Sequence, residues 1–484
     1  MLTVLFLLAA MNGVVLVADK GKIVEHTASG FADFAKQIPN TTDTRFQTAS
    51  ISKTLTSTAV LQLRDKRSLR LDDPVARHLR DFPFPHITIR QLLSHTSGLP
   101  DLELFEPLIA EKPQHVVSNA DVIPALRNWK HPLAFAPGAQ FRYSNTNYML
   151  LSLLIEKVSG MPYARYLERF IFKPAGMRDS YVLTGGPDDP KLAKNHMLAT
   201  MYKTTPENVA TLSLKDERKM RRIHYETRTM GSTLGDQNVI STTGDLFRFD
   251  RALSNGTLLK QSTMEEAATP VKLNDGTTYA DAEPTIAYGG LPCSYALGWE
   301  VCGDAATGKI VSHGGYNRGI ATVFYRNVTK DQTVIAFDNA DGDSFAQRVG
   351  SLVNALNGKP PLEMETRKSL TREYGETLLR KGAAAALVRY NEMRADATNY
   401  VGTQRGLNVL GYDLLFNGYT AEALEPFRIN VILHPEDFNV YDSYAEALAA
   451  NGRKSDAVLM YRKSLALNPK NEDGRRKLEE LEKN

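Results

Sequence analysis

Short apolar runs rich in β-branched and aromatic residues open and close the part of the chain between residues 14 and 338. The run 14–18 precedes a polar turn, and four similar runs follow much later, at 295–301, 310–312, 321–326 and 333–338. Runs of this length, bounded by turn residues, are typical of β-strands. Because helical patterns fill the middle of this part, we predict an α+β domain whose terminal segments share one antiparallel sheet.

Three segments in the middle of this domain carry the pattern of buried or amphipathic helices. One begins near Ser50, a strongly apolar one covers 147–158, and a third covers 243–253. Their apolar residues recur at the spacing of a helix face. Residues 186–235 are instead polar and charged with weak periodicity, and we interpret them as an insertion or lid.

The last part of the chain has a nearly all-helical pattern with an internal period of 34 residues. The matched positions are apolar, glycine or proline residues: Leu414/Leu448, Gly418/Gly452, Ala423/Ala457, Phe427/Tyr461, Leu433/Leu467 and Pro435/Pro469. This period and residue order resemble tetratricopeptide repeats, with a plain helical bundle as the alternative. We predict an apolar N-terminal segment at 1–12, the α+β domain at 13–356, a linker at 357–369 and the helical repeat domain at 370–484.

The composition is typical of a globular protein that can bury a core. Apolar residues make up 42% and charged residues 23% of the 484 residues, and the formal net charge is +3. This balanced charge argues against nucleic-acid binding. The sequence contains no zinc-type Cys/His cluster and no Gly-rich phosphate loop, so we expect no metal and no cofactor.

The two cysteines say little about the compartment, and the apolar N-terminal residues are ambiguous. Cys293 and Cys302 flank the run 295–301, and one extended strand there would hold them roughly 30 Å apart. We therefore expect two free thiols. The apolar residues 2–10 are interpreted either as a truncated signal peptide or as a buried helix. A periplasmic or secreted location is preferred to a cytoplasmic one, and membrane association is left open.

Ser50 and Lys53 are the first candidates for chemistry. Residues three apart share a helix face, so the lysine amine should lie beside the serine hydroxyl. A serine hydroxyl needs an adjacent base to become a nucleophile, and a lysine whose pKa is lowered by burial can be that base. Backbone N–H groups at the helix start could stabilise an oxyanion. Taken alone, the same spacing also fits an ordinary helix with a solvated lysine.

Two further segments strengthen this hypothesis. Tyr143 lies two residues before Asn145. A phenol near Lys53 could shuttle protons, and an asparagine could donate to a substrate carbonyl. The glycine pair 314–315 follows His313 at the end of a strand run, where it would let a substrate approach the backbone; a hairpin turn with a solvent-facing histidine is the alternative. The sequence contains no Gly-x-Ser-x-Gly motif, which argues against an α/β-hydrolase.

Six motifs, taken in chain order, resemble the serine β-lactamase and penicillin-binding-protein superfamily. They are Ser50–Lys53, Leu92–Pro100, Tyr143–Asn145, Val239–Thr242, Tyr295–Trp299 and His313–Gly315. The resemblance covers roughly residues 13–355 and is strongest to the class C β-lactamase-related branch, which includes esterases and D-aminopeptidases. It implies a β-lactamase-like domain with an antiparallel sheet flanked by helices and a helical subdomain.

The resemblance also implies roles for individual residues. Ser50 would be acylated, Lys53 would assist its deprotonation, and Tyr143 would be the general base or proton shuttle. The implied substrate-binding residues are Asn145, His313, Gly314 and Gly315, and the implied oxyanion hole consists of the backbone N–H groups of Ser50 and Tyr316. Whether Lys53 or Tyr143 takes the first proton stays open.

His313 departs from the pattern of many relatives, which have a lysine there that binds a substrate carboxylate. An imidazole is charged only below about pH 6.5 unless it is perturbed. An esterase or aminopeptidase is therefore favoured over an efficient β-lactamase.

We predict a serine hydrolase that acts through an acyl-enzyme on esters or on D-amino-acid-containing amides and peptides. A β-lactamase or DD-carboxypeptidase is the enzymatic alternative. The non-enzymatic alternative is a penicillin-binding-like protein that binds peptides while its repeats recruit a protein or peptide partner. No nucleic-acid partner is expected.

Overall fold

The computed structural model describes most of the chain, in two compact units, one formed mainly by residues up to Met364 and the other mainly by residues 365–484. The described residues are 11–33, 36–112, 115–184, 189–194, 196–198, 209–211, 232–317, 319–340, 344–364, 367–416 and 418–483. Most of the predicted N-terminal segment 1–12 and of the predicted lid 186–235 therefore lies outside the described residues. The predicted linker 357–369 spans the division between the units.

The larger unit is built on a seven-stranded antiparallel sheet. The strands of the described residues are β1 (Gly13–Asp19), β2 (Lys22–Ser29), β3 (Phe31–Asp33), β4 (Ile38–Pro39), β5 (Phe46–Gln47), β6 (Tyr181–Val182), β7 (His196–Leu198), β8 (Val209–Thr211), β9 (Val239–Ser241), β10 (Cys293–Tyr295), β11 (Glu300–Asp304), β12 (Gly308–Asn317), β13 (Ile320–Asn327), β14 (Gln332–Asp338), β15 (Lys368–Ser369) and β16 (Tyr400–Val401). The large sheet has the order β10-β11-β12-β13-β14-β1-β2. Strand β1 pairs with β14, which confirms the predicted antiparallel sheet shared by terminal segments.

Both faces of this sheet are covered by apolar side chains. Leu16 and Ile335 are paired across β1 and β14 and belong to one core cluster, on the side of the long helices. The next pair, Val15 and Ala336, belongs to a second cluster on the opposite face. This alternation follows from the two-residue period of strand side chains. Each fully buried side chain of the size of leucine or isoleucine contributes about 1.5–3 kcal/mol, so the central strands are held from two sides.

Helices of the larger unit pack mainly on one side of the sheet and form the predicted helical part. They are α1 (Ser52–Asp65), α2 (Ile89–Leu93), α3 (Glu106–Glu111), α4 (Val122–Asn128), α5 (Asn145–Ser159), α6 (Tyr163–Leu167), α7 (Lys173–Ala175), α8 (Thr243–Ser254), α9 (Gln261–Ala267) and α10 (Phe345–Leu356). The helices predicted at 147–158 and 243–253 correspond to α5 and α8. Among the described residues, no helix is both long and apolar enough to span a bilayer.

Helix α1 lies inside the core, although several of its buried side chains are polar. Of its 14 residues, 11 are buried. Thr54 Oγ1 donates to Ile51 O at 2.8 Å, and Thr56 Oγ1 donates to Gly235 O at 2.7 Å. Buried hydroxyls are tolerated when they are hydrogen-bonded. The helix that follows Ser50 is therefore fixed on all sides.

The prediction of two free thiols was wrong, because the chain does not run straight from Cys293 to Cys302. The run 295–301 is a hairpin instead of one strand, and it reverses at Gly298, whose φ of +87° is in the left-handed region that favours glycine. The two cysteines are therefore directly opposite on β10 and β11, with their Cα atoms 4.4 Å apart, and form a disulfide. A side chain on Gly298 would collide with Ser57 of α1, so the turn also packs against this helix.

Removing the disulfide is expected to lower the free energy of unfolding by about 2–3 kcal/mol, because a loop of about ten residues is no longer closed in the unfolded chain. The variant is Cys293→Ser/Cys302→Ser, measured by urea unfolding against the oxidised wild type. Wild-type protein treated with a reductant serves as the control and should share the variant's midpoint. An unchanged midpoint in both samples would contradict the disulfide pairing.

The second unit is mainly helical, and several of its helices begin at a fixed spacing along the chain. They are α11 (Leu370–Ala395), α12 (Gln404–Phe416), α13 (Thr420–Leu433), α14 (Phe438–Ala450), α15 (Lys454–Leu467) and α16 (Glu472–Lys483). Helices α12 and α14 begin 34 residues apart, as do α13 and α15. Tyr412 Oη donates to Glu446 Oε2 at 3.0 Å, which joins equivalent positions of successive repeats. The identification as tetratricopeptide repeats stays a prediction.

Candidate active site

Ser50 lies on a strained turn that immediately precedes α1. The sequence predicted an α-helix starting near Ser50, but a single 3₁₀ turn at Ala49–Ile51 comes first and α1 begins at Ser52. Ala49 has a φ of +47°, a conformation that is uncommon for residues other than glycine. In a 3₁₀ turn, residues i and i+3 lie directly above one another. The turn therefore places the Ser50 hydroxyl over Lys53.

Lys53 is fully buried beneath Ser50, and its ammonium group has three acceptors. Its Nζ donates to Ser50 Oγ at 3.1 Å, to Asn145 Oδ1 at 2.8 Å and to Asp236 O at 3.0 Å. Burial lowers the pKa of Lys53 from 10.5 to about 8, against the opposing effect of Asp236 and Asp101. With that pKa, about one tenth of the amine is neutral at pH 7. The lysine can therefore accept a proton.

Tyr143 lies in the loop that leads into α5, and Asn145 is the first residue of that helix. Asn145 is held by Asp101, which accepts from its backbone N–H at 2.6 Å and from its Nδ2 at 3.3 Å. The Tyr143 ring lies over Lys53, with Nζ 4.9 Å from the ring centroid. Burial raises the pKa of Tyr143 well above 10, although a hydrogen bond with Ser50 opposes this shift. Tyr143 is therefore a neutral phenol at physiological pH.

Residues of the 92–100 motif hold the segment around Tyr143 in place. The backbone N–H of Ser144 donates to His95 Nδ1 at 3.1 Å. The His95 ring stacks on Tyr143 with centroids 4.2 Å apart. Burial, and after it the charge of Lys53, lower the pKa of His95 well below 6.5. A neutral imidazole therefore packs behind the candidate proton shuttle.

His313 lies in the middle of β12 and is buried, so the alternative of a solvent-facing turn histidine is wrong. Its Nδ1 is 2.6 Å from Gly314 O, and its Nε2 is 3.0 Å from Tyr295 Oη. Because a carbonyl only accepts, Nδ1 carries the proton and Nε2 accepts from the tyrosine. Burial lowers the pKa of His313 to about 3. His313 is thus uncharged at neutral pH and joins β12 to β10.

Strand β12 passes directly against the turn that carries Ser50, and only glycine permits this approach. A Cβ atom on Gly315 would lie 2.3 Å from Thr322 Oγ1, 2.7 Å from Thr48 O and 3.0 Å from Ser50 N. Tyr316 follows on the same strand and lines the same cleft as Ser50. The two predicted oxyanion-hole residues are therefore brought to one cleft wall.

These residues border a cleft of about 610 Å³. The sequence-predicted residues that line it are Ser50, Tyr143, Asn145, His313, Gly314, Gly315 and Tyr316. Lys53 lies beneath Ser50 instead. The volume is that of a small-molecule site, and the structure brings all the predicted site residues together.

Acidic side chains form a part of the site that sequence reasoning missed. Burial raises the pKa of Asp101 to about 7, that of Asp236 to about 6 and that of Glu300 to about 7. Asp236 and Glu300 line the cleft. The only sequence feature that could have pointed to Glu300 was its place directly after the Tyr295–Trp299 motif. No sequence feature pointed to Asp236. Within the described ranges, no set of three or more His, Cys, Asp or Glu side chains could hold a metal ion.

The site combines a serine on a strained turn with a buried lysine beneath it, and a Tyr-x-Asn segment and a Gly-rich strand complete it. This arrangement, on an antiparallel α+β domain, is suited to acyl transfer. A family model described as Beta-lactamase matches residues 8–356. Penicillin-binding protein 4* of Bacillus subtilis (strain 168) is 33% identical over 394 residues, which cover 79% of this chain and 82% of that protein. The chain belongs to the β-lactamase family.

Two solved structures show the same relationship. The penicillin-binding protein from Bacillus halodurans is 25% identical with a TM-score of 0.57, over 72% of this chain and 96% of that chain. A D-stereospecific amidohydrolase from Streptomyces sp. is 26% identical with a TM-score of 0.53, over 70% of this chain and 93% of that chain. Both support the predicted β-lactamase-like fold.

Proposed function

We propose that this protein is a serine hydrolase that cleaves D-amino-acid-containing amides and peptides, or related esters, through an acyl-enzyme on Ser50. One observation carries the proposal: the buried Lys53 Nζ lies 3.1 Å from Ser50 Oγ with its pKa lowered to about 8. A serine hydroxyl becomes a useful nucleophile when such a base adjoins it.

The proposed chemistry begins with neutral Lys53 taking the Ser50 proton as Oγ attacks the substrate carbonyl carbon. The carbonyl oxygen becomes an oxyanion, which the N–H groups of Ser50 and Tyr316 would stabilise. The Tyr143 phenol donates its proton to the leaving group and regains one from Lys53. Water then attacks the acyl-enzyme, and its proton returns to Ser50 through the same groups. The high pKa of Tyr143 favours Lys53 as the first acceptor.

The charges around the cleft favour an amidase or esterase over a β-lactamase or DD-carboxypeptidase. Substrates of the latter two classes carry a carboxylate beside the scissile bond. His313 is uncharged at neutral pH, and Lys53 already has three protein acceptors. Asp236 and Glu300 would repel such a carboxylate whenever they are ionised. The likeness to the Streptomyces D-stereospecific amidohydrolase supports the same choice.

A substrate panel tests the proposal. We expect turnover of D-alanine p-nitroanilide and p-nitrophenyl acetate, a lower kcat/KM for L-alanine p-nitroanilide, and little opening of a chromogenic cephalosporin. Initial rates at equal enzyme concentration decide between the classes. Rapid cephalosporin opening would favour the β-lactamase alternative instead. Covalent labelling of Ser50 without turnover of any substrate would favour the peptide-binding alternative.

A further inference from the structure

Glu300 presents a carboxylate to the cleft from the strand next to β12. It opens β11 and is paired with Ser312 of β12. Tyr288 Oη donates to its Oε2 at 2.6 Å, and the Gly314 N–H also donates to the carboxylate. Two donors therefore hold the side chain in one orientation on the cleft wall.

The carboxylate has no ion-pair partner among the described residues. Burial of an acidic group without a cation disfavours its charged form, and accordingly burial raises the pKa of Glu300. The two basic side chains of the site form no ion pair with it. Lys53 donates its three N–H groups to other acceptors, and His313 is uncharged at neutral pH. A cation bound in the cleft would therefore be stabilised by Glu300.

The carboxylate is also near the reacting groups. It bonds the N–H of Gly314, and the next residue, Gly315, is the one that lies against Ser50 N. One strand residue corresponds to about 3.3 Å. The negative charge of Glu300 also contributes to the raised pKa of Tyr143. A positive group a few bonds from the scissile carbonyl would thus reach Glu300 when the carbonyl lies over Ser50.

We propose that Glu300 binds the free amino group of the substrate, so that the preferred substrates are amides, peptides or esters with an unblocked amino terminus. This inference rests on the proposed function of the Ser50 site and narrows its substrate class. The Tyr288 hydroxyl holds the carboxylate in position through its hydrogen bond to Oε2. A carboxylate at this position suits a cleft that binds a substrate amino group, as in an aminopeptidase, instead of a cleft that binds a substrate carboxylate.

The test compares Glu300→Gln with wild type on D-alanine p-nitroanilide and on N-acetyl-D-alanine p-nitroanilide. Loss of a charge-assisted contact predicts a fall of about 10- to 100-fold in kcat/KM for the free amine, mostly through KM. The N-acetyl compound and p-nitrophenyl acetate should lose at least fivefold less in kcat/KM than the free amine, since they carry no cation for Glu300 to bind. Glu283→Gln is the matched control, because Glu283 is an exposed glutamate outside the strands of the large sheet and does not line the cleft.

A binding measurement makes the inference independent of turnover. Ser50→Ala protein should bind D-alaninamide at least tenfold more tightly than N-acetyl-D-alaninamide by calorimetry, and adding Glu300→Gln should remove this preference. Equal losses on all three chromogenic substrates, or equal binding of the two amides, would overturn the role of Glu300. If wild type hydrolyses none of the substrates but retains the binding preference, the hydrolase proposal fails while the amino-group site stands.

Discussion

Ser50→Ala is expected to lower kcat for D-alanine p-nitroanilide and p-nitrophenyl acetate by at least about 10⁴-fold, the scale seen when a nucleophile is removed from a serine hydrolase. The turn at Ala49–Ile51 and the cleft remain, so substrate binding should persist. Only the covalent route is lost, because among the described residues Ser50 Oγ is the only side-chain hydroxyl that accepts a hydrogen bond from Lys53 Nζ. Steady-state kinetics measure the loss of kcat, and mass spectrometry of rapidly quenched reactions measures the loss of the covalent intermediate.

Wild-type protein should show an acyl adduct on the peptide that contains Ser50, and the variant should show none. Ser68→Ala is the matched control, because Ser68 is exposed just beyond the end of α1. This control should keep wild-type rates and the same adduct. Turnover by Ser50→Ala within tenfold of wild type would exclude the acyl-enzyme route.

Much of the larger unit could be predicted because its signals are local. Short runs of apolar, β-branched residues identify strands such as β1 and β14. Their pairing follows from the expectation that the terminal segments of an α+β domain share one sheet. The Ser50–Lys53 spacing likewise encodes a contact within one turn. The period of 34 residues noted in the sequence recurs in the structure, where α12 and α14 begin 34 residues apart.

The features that the sequence did not reveal depend on contacts between distant segments. The Cys293–Cys302 disulfide was missed because the reversal at Gly298 depends on packing against Ser57 of α1. An apolar run of this length fits a straight strand equally well. The acceptors that hold Lys53 illustrate the same limit, since Asp236 O is 183 residues away along the chain.

Glu300 and His313 show how burial changes the chemistry that a residue type suggests. From the residue type alone, a glutamate is expected to be ionised at neutral pH, and a histidine is expected to change its charge near neutral pH. In the fold, burial raises the pKa of Glu300 to about 7 and lowers that of His313 to about 3. The protonation states of these two side chains are therefore a property of the tertiary structure.

Lys53→Ala is expected to lower kcat/KM for p-nitrophenyl acetate by about 10³-fold, because Ser50 loses its base and the remaining groups act as one unit. In wild type, only neutral Lys53 can accept the proton. With its pKa at about 8, kcat/KM should fall tenfold per pH unit below that value and level off above it. The rising limb should be absent from the pH profile of the variant.

Lys53→Arg separates the role of a base from that of a positive charge. A guanidinium keeps the charge but does not deprotonate in proteins, so this variant should be as inactive as Lys53→Ala. Circular dichroism and thermal unfolding identify variants that fail to fold. Near wild-type activity in Lys53→Arg, with a flat wild-type profile around pH 8, would mean that Lys53 acts by its charge. Tyr143 would then be the first proton acceptor, against the direction in which burial shifts its pKa.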